Sequence, residues 1–209
     1  MVPWEDQVQP ARSSDPRVAA ELARRSVSLE HLSLAHMVDA NDFLAACDQT
    51  WTWSRLQSLA LTTKHLQGDY RADGNWDPAD AQLVDGVLFR AGTIALQMPR
   101  LQTLVLWSEQ IGDACAFMYT AVDPKEGNTA CITWRGTWEA QLSPNVVGIW
   151  EKVARTNKAT GKGLPLRWRS NKFERKRVFN NGDAIRVLDM PVQVVAPASL
   201  CQMLKERIY

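Results

Sequence analysis

The sequence predicts an α/β fold: a leucine-rich-repeat-like curved sheet of short parallel strands, with helices on its convex side, extended by an antiparallel hairpin. Three stretches, at residues 29–34, 56–61 and 101–106, share leucines at relative positions 1, 4 and 6. This spacing is typical of leucine-rich repeats, in which an element that covers the strand follows each short strand. Segments with apolar residues at helical spacing separate the three stretches, as this architecture requires.

The first 27 residues are predicted to form an arm and a capping helix. Asp15 suits the N-cap of that helix, and Pro16 suits its first helical position. The helix would cover the open end of the first repeat, because the terminal units of repeat proteins need a cover. Residues 28–209 are then predicted to form a single leucine-rich-repeat-like domain.

Helices are predicted between the repeat strands. After the strand at 29–35, residues 38–47 are expected to form a helix with Phe43, Leu44 and Cys47 facing inward. After the strand at 56–61 comes a loop of turn-forming residues at 67–77, and then a long helix that Asp77 would cap. The apolar stripe of this long helix comprises Leu83, Val87, Leu88, Ala91, Ile94, Ala95 and Met98.

The pattern changes after the third strand, which is predicted at 101–107. Two apolar runs separated by turn-forming residues indicate a hairpin that extends the sheet. Two short helices at the end of the chain are expected to close the second end of the repeat. In order, the predicted elements are hairpin strands at 114–121 and 130–134, a helix from Ser143-Pro144, a strand at 164–169, and helices at 183–190 and 198–207.

Composition and charge exclude several classes of protein. The chain has 24 basic and 23 acidic residues, a net charge of +1, which argues against a nucleic-acid or membrane-surface binder. No apolar run approaches membrane-spanning length, and the N-terminus lacks the pattern of a signal peptide. The cysteines at positions 47, 115, 131 and 201 lie far apart, as is typical of free thiols in a reducing compartment. The sequence therefore predicts a cytoplasmic protein.

Several stretches resemble a group of fungal proteins in which an N-terminal F-box precedes leucine-rich-type repeats and a C-terminal domain of unknown function. The matching stretches are residues 29–35, 51–62, 98–107 and 132–138, with a weaker match at 182–188. The most specific of them is Ile-Thr-Trp-Arg-Gly-Thr-Trp at 132–138. The resemblance implies the selection of substrates for a ubiquitin ligase, although the segment before the first repeat is too short for an F-box. It implies no catalytic residues.

The predicted strands place a second set of residues opposite the repeat leucines. Alternate side chains of a strand face opposite ways, so small residues line up on this second face until Trp107. A floor of small residues with aromatic walls suits a compact apolar or polycyclic substrate. The hairpin would supply further walls, although the sequence leaves its facing open. The candidate substrate-binding residues are Ala60, Thr62, Val105, Trp107, Tyr119, Trp134 and Arg135.

Polar residues that could transfer protons follow two of the predicted strands. His36 and Asp39 follow the first strand, and Glu109 follows the third. These three are the candidate catalytic residues, because a histidine near a carboxylate can do acid–base work. Asp39 equally suits a helix cap, and His36 a surface position. We find no convincing metal-ligand pair, phosphate loop, dinucleotide fingerprint or nucleophile elbow, so neither a metal nor a cofactor is predicted.

Two functions fit these features. The first is a small-molecule-binding protein, a cofactor-independent cyclase, isomerase or dehydratase of fungal secondary metabolism that acts on the concave face. The alternative is a protein-interaction module of the F-box/leucine-rich-repeat type, which would have a protein partner. The missing F-box, the small-residue face and the nine tryptophans favour the enzyme.

Overall fold

The strands of the three leucine stretches lie side by side in one sheet. The computed structural model describes residues 15–67 and 78–205. Its sheet has six strands in chain order: β1 (His31–Leu34), β2 (Ser58–Thr62), β3 (Thr103–Gln110), β4 (Asp113–Thr120), β5 (Ala130–Gly136) and β6 (Leu166–Lys172). The pairs β1–β2, β2–β3 and β5–β6 are parallel, whereas β3–β4 and β4–β5 are antiparallel. The parallel strands at the three leucine stretches and the hairpin that extends their sheet are therefore confirmed.

The repeat leucines occupy matching positions across the parallel strands. Leu32 of β1 pairs with Leu59 of β2, which in turn pairs with Leu104 of β3. Two residues further on, Leu34, Leu61 and Leu106 form a second such row. Because side chains alternate along a strand, both rows face the same side of the sheet. We call this side the leucine face.

Four helices cover the leucine face: α1 (Pro16–Ser26), α2 (Ala40–Ala46), α3 (Pro78–Ala95) and α4 (Pro144–Thr156). Three of them begin at a polar cap, since Asp15, Asp39 and Ser143 each accept a hydrogen bond from a main-chain amide of the first turn. The stripe predicted for α3 is buried apart from its first member. Leu83 is 51% exposed and Val84 is buried in its place, because positions 84, 87, 88, 91, 94 and 95 form the face that meets the sheet.

The opposite side of the sheet, which we call the small-residue face, is also covered. Helices α5 (Asn181–Leu188) and α6 (Pro197–Met203) belong to a C-terminal segment whose apolar residues pack on Ala60, Val105 and Trp107. These helices were expected to close the end of the repeat, and that expectation is wrong. The helices of the described chain lie on both faces of the sheet, not on one convex side.

Some predictions concern residues that the structure does not describe. The predicted arm before Asp15, most of the loop at 67–77 and the end of the chain after Lys205 lie outside the described residues. Within the described ranges, no helix combines the length and the apolar character needed to cross a membrane.

Candidate active site

A histidine and a glutamate meet where β1 and β3 end. His36 follows β1 by two residues, and Glu109 is the penultimate residue of β3. His36 Nε2 lies 2.7 Å from Glu109 Oε1. The Glu109 side chain is only 2% exposed, whereas the His36 side chain is 48% exposed. The two run to the same edge because β1, β2 and β3 are parallel, and the carboxyl ends of parallel strands form the usual ligand site of open α/β sheets.

The backbone and neighbours of His36 hold its ring against this carboxylate. His36 has φ of 58°, in the left-handed region that residues with a Cβ seldom adopt. Its main-chain N–H donates to Thr62 Oγ1 at 3.0 Å. Its ring meets Trp107 edge-on, with ring centroids 5.6 Å apart and an interplanar angle of 75°. Thr62 and Trp107 are themselves cross-strand partners, so all three parallel strands position the imidazole.

The pair is electrostatically complementary. The hydrogen bond to Glu109 raises the pKa of His36, and this outweighs the opposing effect of burial. Within the described residues, His36 bonds to Glu109 through Nε2, and Nδ1 is its second ring nitrogen. The Nε1–H of Trp107 is buried and lacks an acceptor within the part of the chain that the structure describes.

Asp39 lies near this pair in sequence but performs a different local task. Its carboxylate accepts hydrogen bonds from the main-chain N–H of Asn41 at 2.8 Å and of Lys64 at 2.9 Å. The hydroxyl of Thr63 donates to it as well, at 3.1 Å. Asp39 therefore caps α2 and ties it to the turn after β2. Both of its carboxylate oxygens accept these hydrogen bonds, and its catalytic role stays a prediction.

Five of the candidate substrate-binding residues share the small-residue face: Ala60, Thr62, Val105 and Trp107 of β2 and β3, and Arg135 of β5. Thr62 contacts the backbone of His36, and Trp107 contacts its ring, so both adjoin the pair. Ala60, Val105 and Trp107 are completely covered by the C-terminal segment. These side chains therefore do not form the exposed ligand-binding surface that we expected, because α5 packs where a ligand would have bound.

The three candidates from the hairpin are divided between the two faces of the sheet. Tyr119 pairs with Leu104 across the sheet, and therefore it faces the leucine side together with Trp134. Both side chains are buried there, on the opposite side of the sheet from Trp107. Arg135 lies on the small-residue face instead, since it pairs with Ala116. Its Nε donates to the main-chain oxygen of Val187 at 2.7 Å. The structure thus does not bring these three residues to the His36–Glu109 pair.

Sequence reasoning missed the part that Thr62 plays as an acceptor for His36. It placed Thr62 in a binding floor and gave no sign that the chain after β1 would turn into the left-handed region. A polar residue at the carboxyl end of the middle strand was the available signal. Among the described residues, no group of three or more histidine, cysteine, aspartate or glutamate side chains could hold a metal ion.

Comparison with known proteins shows which family the chain belongs to. The chain belongs to a family described as "Family of unknown function (DUF6546)", whose model matches residues 2–196. No curated protein and no solved structure matches the chain significantly.

Proposed function

We propose that this protein is a cofactor-independent enzyme that works by proton transfer, with His36 and Glu109 as its acid–base pair. The observation that carries this proposal is the 2.7 Å contact between a half-exposed imidazole and a buried carboxylate. The contact lies at the edge of the sheet where α/β proteins bind ligands. Cyclases, isomerases and dehydratases of secondary metabolism all depend on proton transfer, so the proposal retains these three reaction classes.

Each member of the pair has a separate task in this mechanism. Glu109 accepts a hydrogen bond from His36 Nε2–H and thereby fixes the ring and its tautomer. His36 Nδ1 then takes a proton from the substrate and returns it at a second position. The buried carboxylate stabilises the imidazolium that forms in between. A positioned acid–base group of this kind contributes roughly 10²- to 10⁴-fold to a rate.

Two energetically unfavourable features, one at His36 and one at Trp107, support a functional role for this edge of the sheet. The left-handed backbone of His36 is unfavourable for a residue with a Cβ. The buried N–H of Trp107 has no acceptor among the described residues, and a buried unpaired donor calls for a specific explanation. Strained backbone and unsatisfied polar groups collect at functional sites, where they are retained for the chemistry.

Hydrogen exchange in heavy water tests the proposal. The protein is incubated in D₂O with a panel of polycyclic ketones, and deuterium next to the carbonyl is followed by mass spectrometry. Wild type should accelerate exchange on at least one of these compounds, and His36→Gln should reduce the acceleration about 100-fold or more. His31→Gln is the matched control, since His31 is exposed at the far end of β1 and should change nothing. Exchange that survives unchanged in His36→Gln would contradict the assignment.

A relationship to leucine-rich-repeat proteins is proposed for the part of the chain that contains β1 to β3. The matched rows of leucines support it, because each repeat contributes the same positions to one face. With it comes the second candidate function, a protein-interaction module. The edge strand β6 favours this candidate, because its residues 166, 168, 170 and 172 direct main-chain groups away from β5. Location of the gene beside a synthase gene would favour the enzyme over the module.

We also propose a cytoplasmic location. Cys47, Cys115 and Cys131 are free and buried. Burial raises the pKa of Cys47 to about 12, so its thiol stays protonated and unreactive. Buried free thiols are typical of proteins from reducing compartments. Extraction of the protein from cells with a thiol-labelling reagent under denaturing conditions should find these three cysteines reduced.

A further inference from the structure

The last strand, β6, forms one edge of the sheet and directs main-chain groups outward. In the described sheet it pairs with β5 and stands at the end of the strand order. The main-chain N–H of Phe173 donates to the oxygen of Gly136 at 2.9 Å, so alternate residues of this segment bond to β5 and the others point away from it. The outward residues are Leu166, Trp168, Ser170 and Lys172. Among the described residues, no hydrogen bond reaches the main-chain groups of these four.

The other edge of the sheet is less open to pairing. β1 has four residues, His31–Leu34, whereas β6 has seven, Leu166–Lys172. Proteins protect edge strands by keeping them short, by placing proline in them or by aiming charges across them. β6 contains no proline, and ion pairs with Asp123 and Glu126 hold its two arginines toward the turn after β4. β6 is therefore the edge that can accept another strand.

On the side of the leucine face, β6 carries an exposed aromatic ring and an exposed cation. Trp168 is the cross-strand partner of Ile132, which belongs to the leucine face. Because side chains alternate along a strand, Trp168, Ser170 and Lys172 share that face. Trp168 is 37% exposed, and it is the one exposed tryptophan of the described chain. Lys172 is exposed and has no ion-pair partner within the described ranges. An ammonium group over an indole ring is a favourable contact, and Ser170 lies midway between these two residues.

We propose that β6 pairs with β6 of a second copy of this chain, in antiparallel orientation about a twofold axis at Ser170. Trp168 of each copy then lies opposite Lys172 of the other copy, so the axis produces two cation–π contacts. The outward main-chain groups of these residues form the hydrogen-bonded pairs of an antiparallel ladder. The two sheets thereby become one continuous sheet.

Charge favours this register over its neighbours. An axis at Arg169 would place Arg169 opposite itself, and an axis at Trp168 would place Arg167 opposite Arg169. Like charges directly opposite each other destabilise a strand pair. With the axis at Ser170, Arg169 lies opposite Asn171, and no two cations of β6 are directly opposed.

A second copy also fits this edge better than a strand of another protein. The copy supplies both the ring and the cation of each contact, whereas the main-chain groups of the edge by themselves would accept strands of many sequences. The proposal is independent of the proton-transfer chemistry at His36. It assigns to a second copy the edge that an interaction module would use for another protein.

Sedimentation equilibrium of the full chain over a range of concentrations tests the proposal. Wild type should show an equilibrium between monomer and dimer. Ser170→Pro removes an N–H that points away from β5, so the fold should persist while dimerisation weakens at least about tenfold. Ser33→Pro is the matched control, because Ser33 likewise directs its N–H outward, from the opposite edge strand β1. This control should dimerise as wild type does, and thermal melting reports whether both variants are folded.

Cysteine cross-linking tests the register. The exposed Cys201 is first replaced with serine, which leaves the three buried cysteines. Ser170→Cys should then form a disulfide between two copies under mild oxidation, because paired residues have Cα atoms about 5.5 Å apart, within reach of a disulfide. Arg167→Cys should stay reduced, since the two copies of residue 167 would lie about 20 Å apart along the strands.

Four outcomes would overturn the proposal. Wild type that stays monomeric at every concentration is the first, and it would leave the β6 edge to a strand of another protein. A dimer that Ser170→Pro leaves unchanged is the second. The third is a dimer that Phe179→Ala dissociates and Ser170→Pro does not, which would place the contact at the exposed Phe179. The fourth is a disulfide in Arg167→Cys without one in Ser170→Cys, which would contradict the register.

Discussion

The two faces of the sheet are both buried, yet they are built differently. The leucine face carries large side chains, including three aromatic contacts with ring centroids 4.3 to 5.1 Å apart around Trp134 and Trp150. The small-residue face carries residues such as Ala60, Ala114 and Ala116, against which α5 packs. The first face gains stability from buried area. The small side chains of the second face let the short C-terminal segment pack close to the strands.

The faces also differ in how their tryptophans are satisfied. On the leucine face, the ring N–H of Trp53 donates to Ser26 Oγ, that of Trp134 to the oxygen of Trp138, and that of Trp150 to the oxygen of Leu88. On the small-residue face, the ring N–H of Trp107 has no acceptor among the described residues. Of these four tryptophans, Trp107 is therefore the one whose ring N–H has no acceptor among the described residues, and its ring lies against His36.

The largest effect is expected from truncation on the leucine face. Trp150 is completely buried, contacts Phe117 and Tyr119, and donates a hydrogen bond at 3.1 Å. Trp150→Ala should lower the free energy of unfolding by about 3–5 kcal/mol, measured by urea denaturation. A loss below about 1 kcal/mol would mean that the aromatic cluster is not the centre of the core.

The second effect concerns the closure of the small-residue face. A Cβ on Gly182 would lie 2.7 Å from the main-chain nitrogen of Leu204, so Gly182→Ala must push the end of α6 away from α5. We expect a loss of about 1–2 kcal/mol and faster amide exchange in α5 and α6. Gly148 in α4 has no neighbour within 4 Å of its added Cβ. Gly148→Ala should therefore stabilise the protein by about 0.5–1 kcal/mol, a change of opposite sign.

Replacing tryptophan with phenylalanine compares the faces directly. Trp150→Phe loses the hydrogen bond to Leu88, whereas Trp107→Phe removes an N–H that has no acceptor among the described residues. Trp150→Phe should therefore cost about 1–2 kcal/mol more than Trp107→Phe in paired denaturation experiments. Equal costs would show that the Trp107 N–H is satisfied in solution.

The smallest effect is the pH dependence contributed by His36. Its pKa is raised in the folded protein by the hydrogen bond to Glu109, so the folded state binds the proton more tightly than the unfolded state. The stabilisation is complete below the ordinary histidine pKa and is lost as the pH rises through the higher folded value. Wild type should lose stability relative to His36→Gln across this window. A difference between the two proteins that does not change with pH would show that the pair does not titrate as described.

The leucine face was predictable because its pattern is local. Leucines at fixed spacing gave the three parallel strands and their common face, and helical spacing gave α2, α3 and α4. The error at Leu83 arose at the start of the α3 stripe, where Val84 lies on the same helical face as Val87, Leu88 and Ala91 and is the buried residue.

The small-residue face was not predictable in the same way. The sequences of α5 and α6 indicate helices, but nothing local says on which side of the sheet they pack. The facing of Tyr119 and Trp134 depends on the register between β3 and β4, which places Tyr119 opposite Leu104. His36 and Glu109 could be chosen as candidates because parallel strands bring their carboxyl ends together. Their 2.7 Å contact depends on the left-handed backbone of His36, which no residue pattern in the sequence predicts.

Whether His36 and Glu109 form a coupled acid–base pair can be measured by a histidine titration in NMR. The carbon-bound ring protons of His36 are followed against pH in wild type and in Glu109→Gln. The pKa of His36 should lie above the ordinary histidine value in wild type and should fall in Glu109→Gln, because the hydrogen bond to Glu109 raises it. An ordinary histidine pKa for His36 that does not change in Glu109→Gln would show that the two side chains are not coupled.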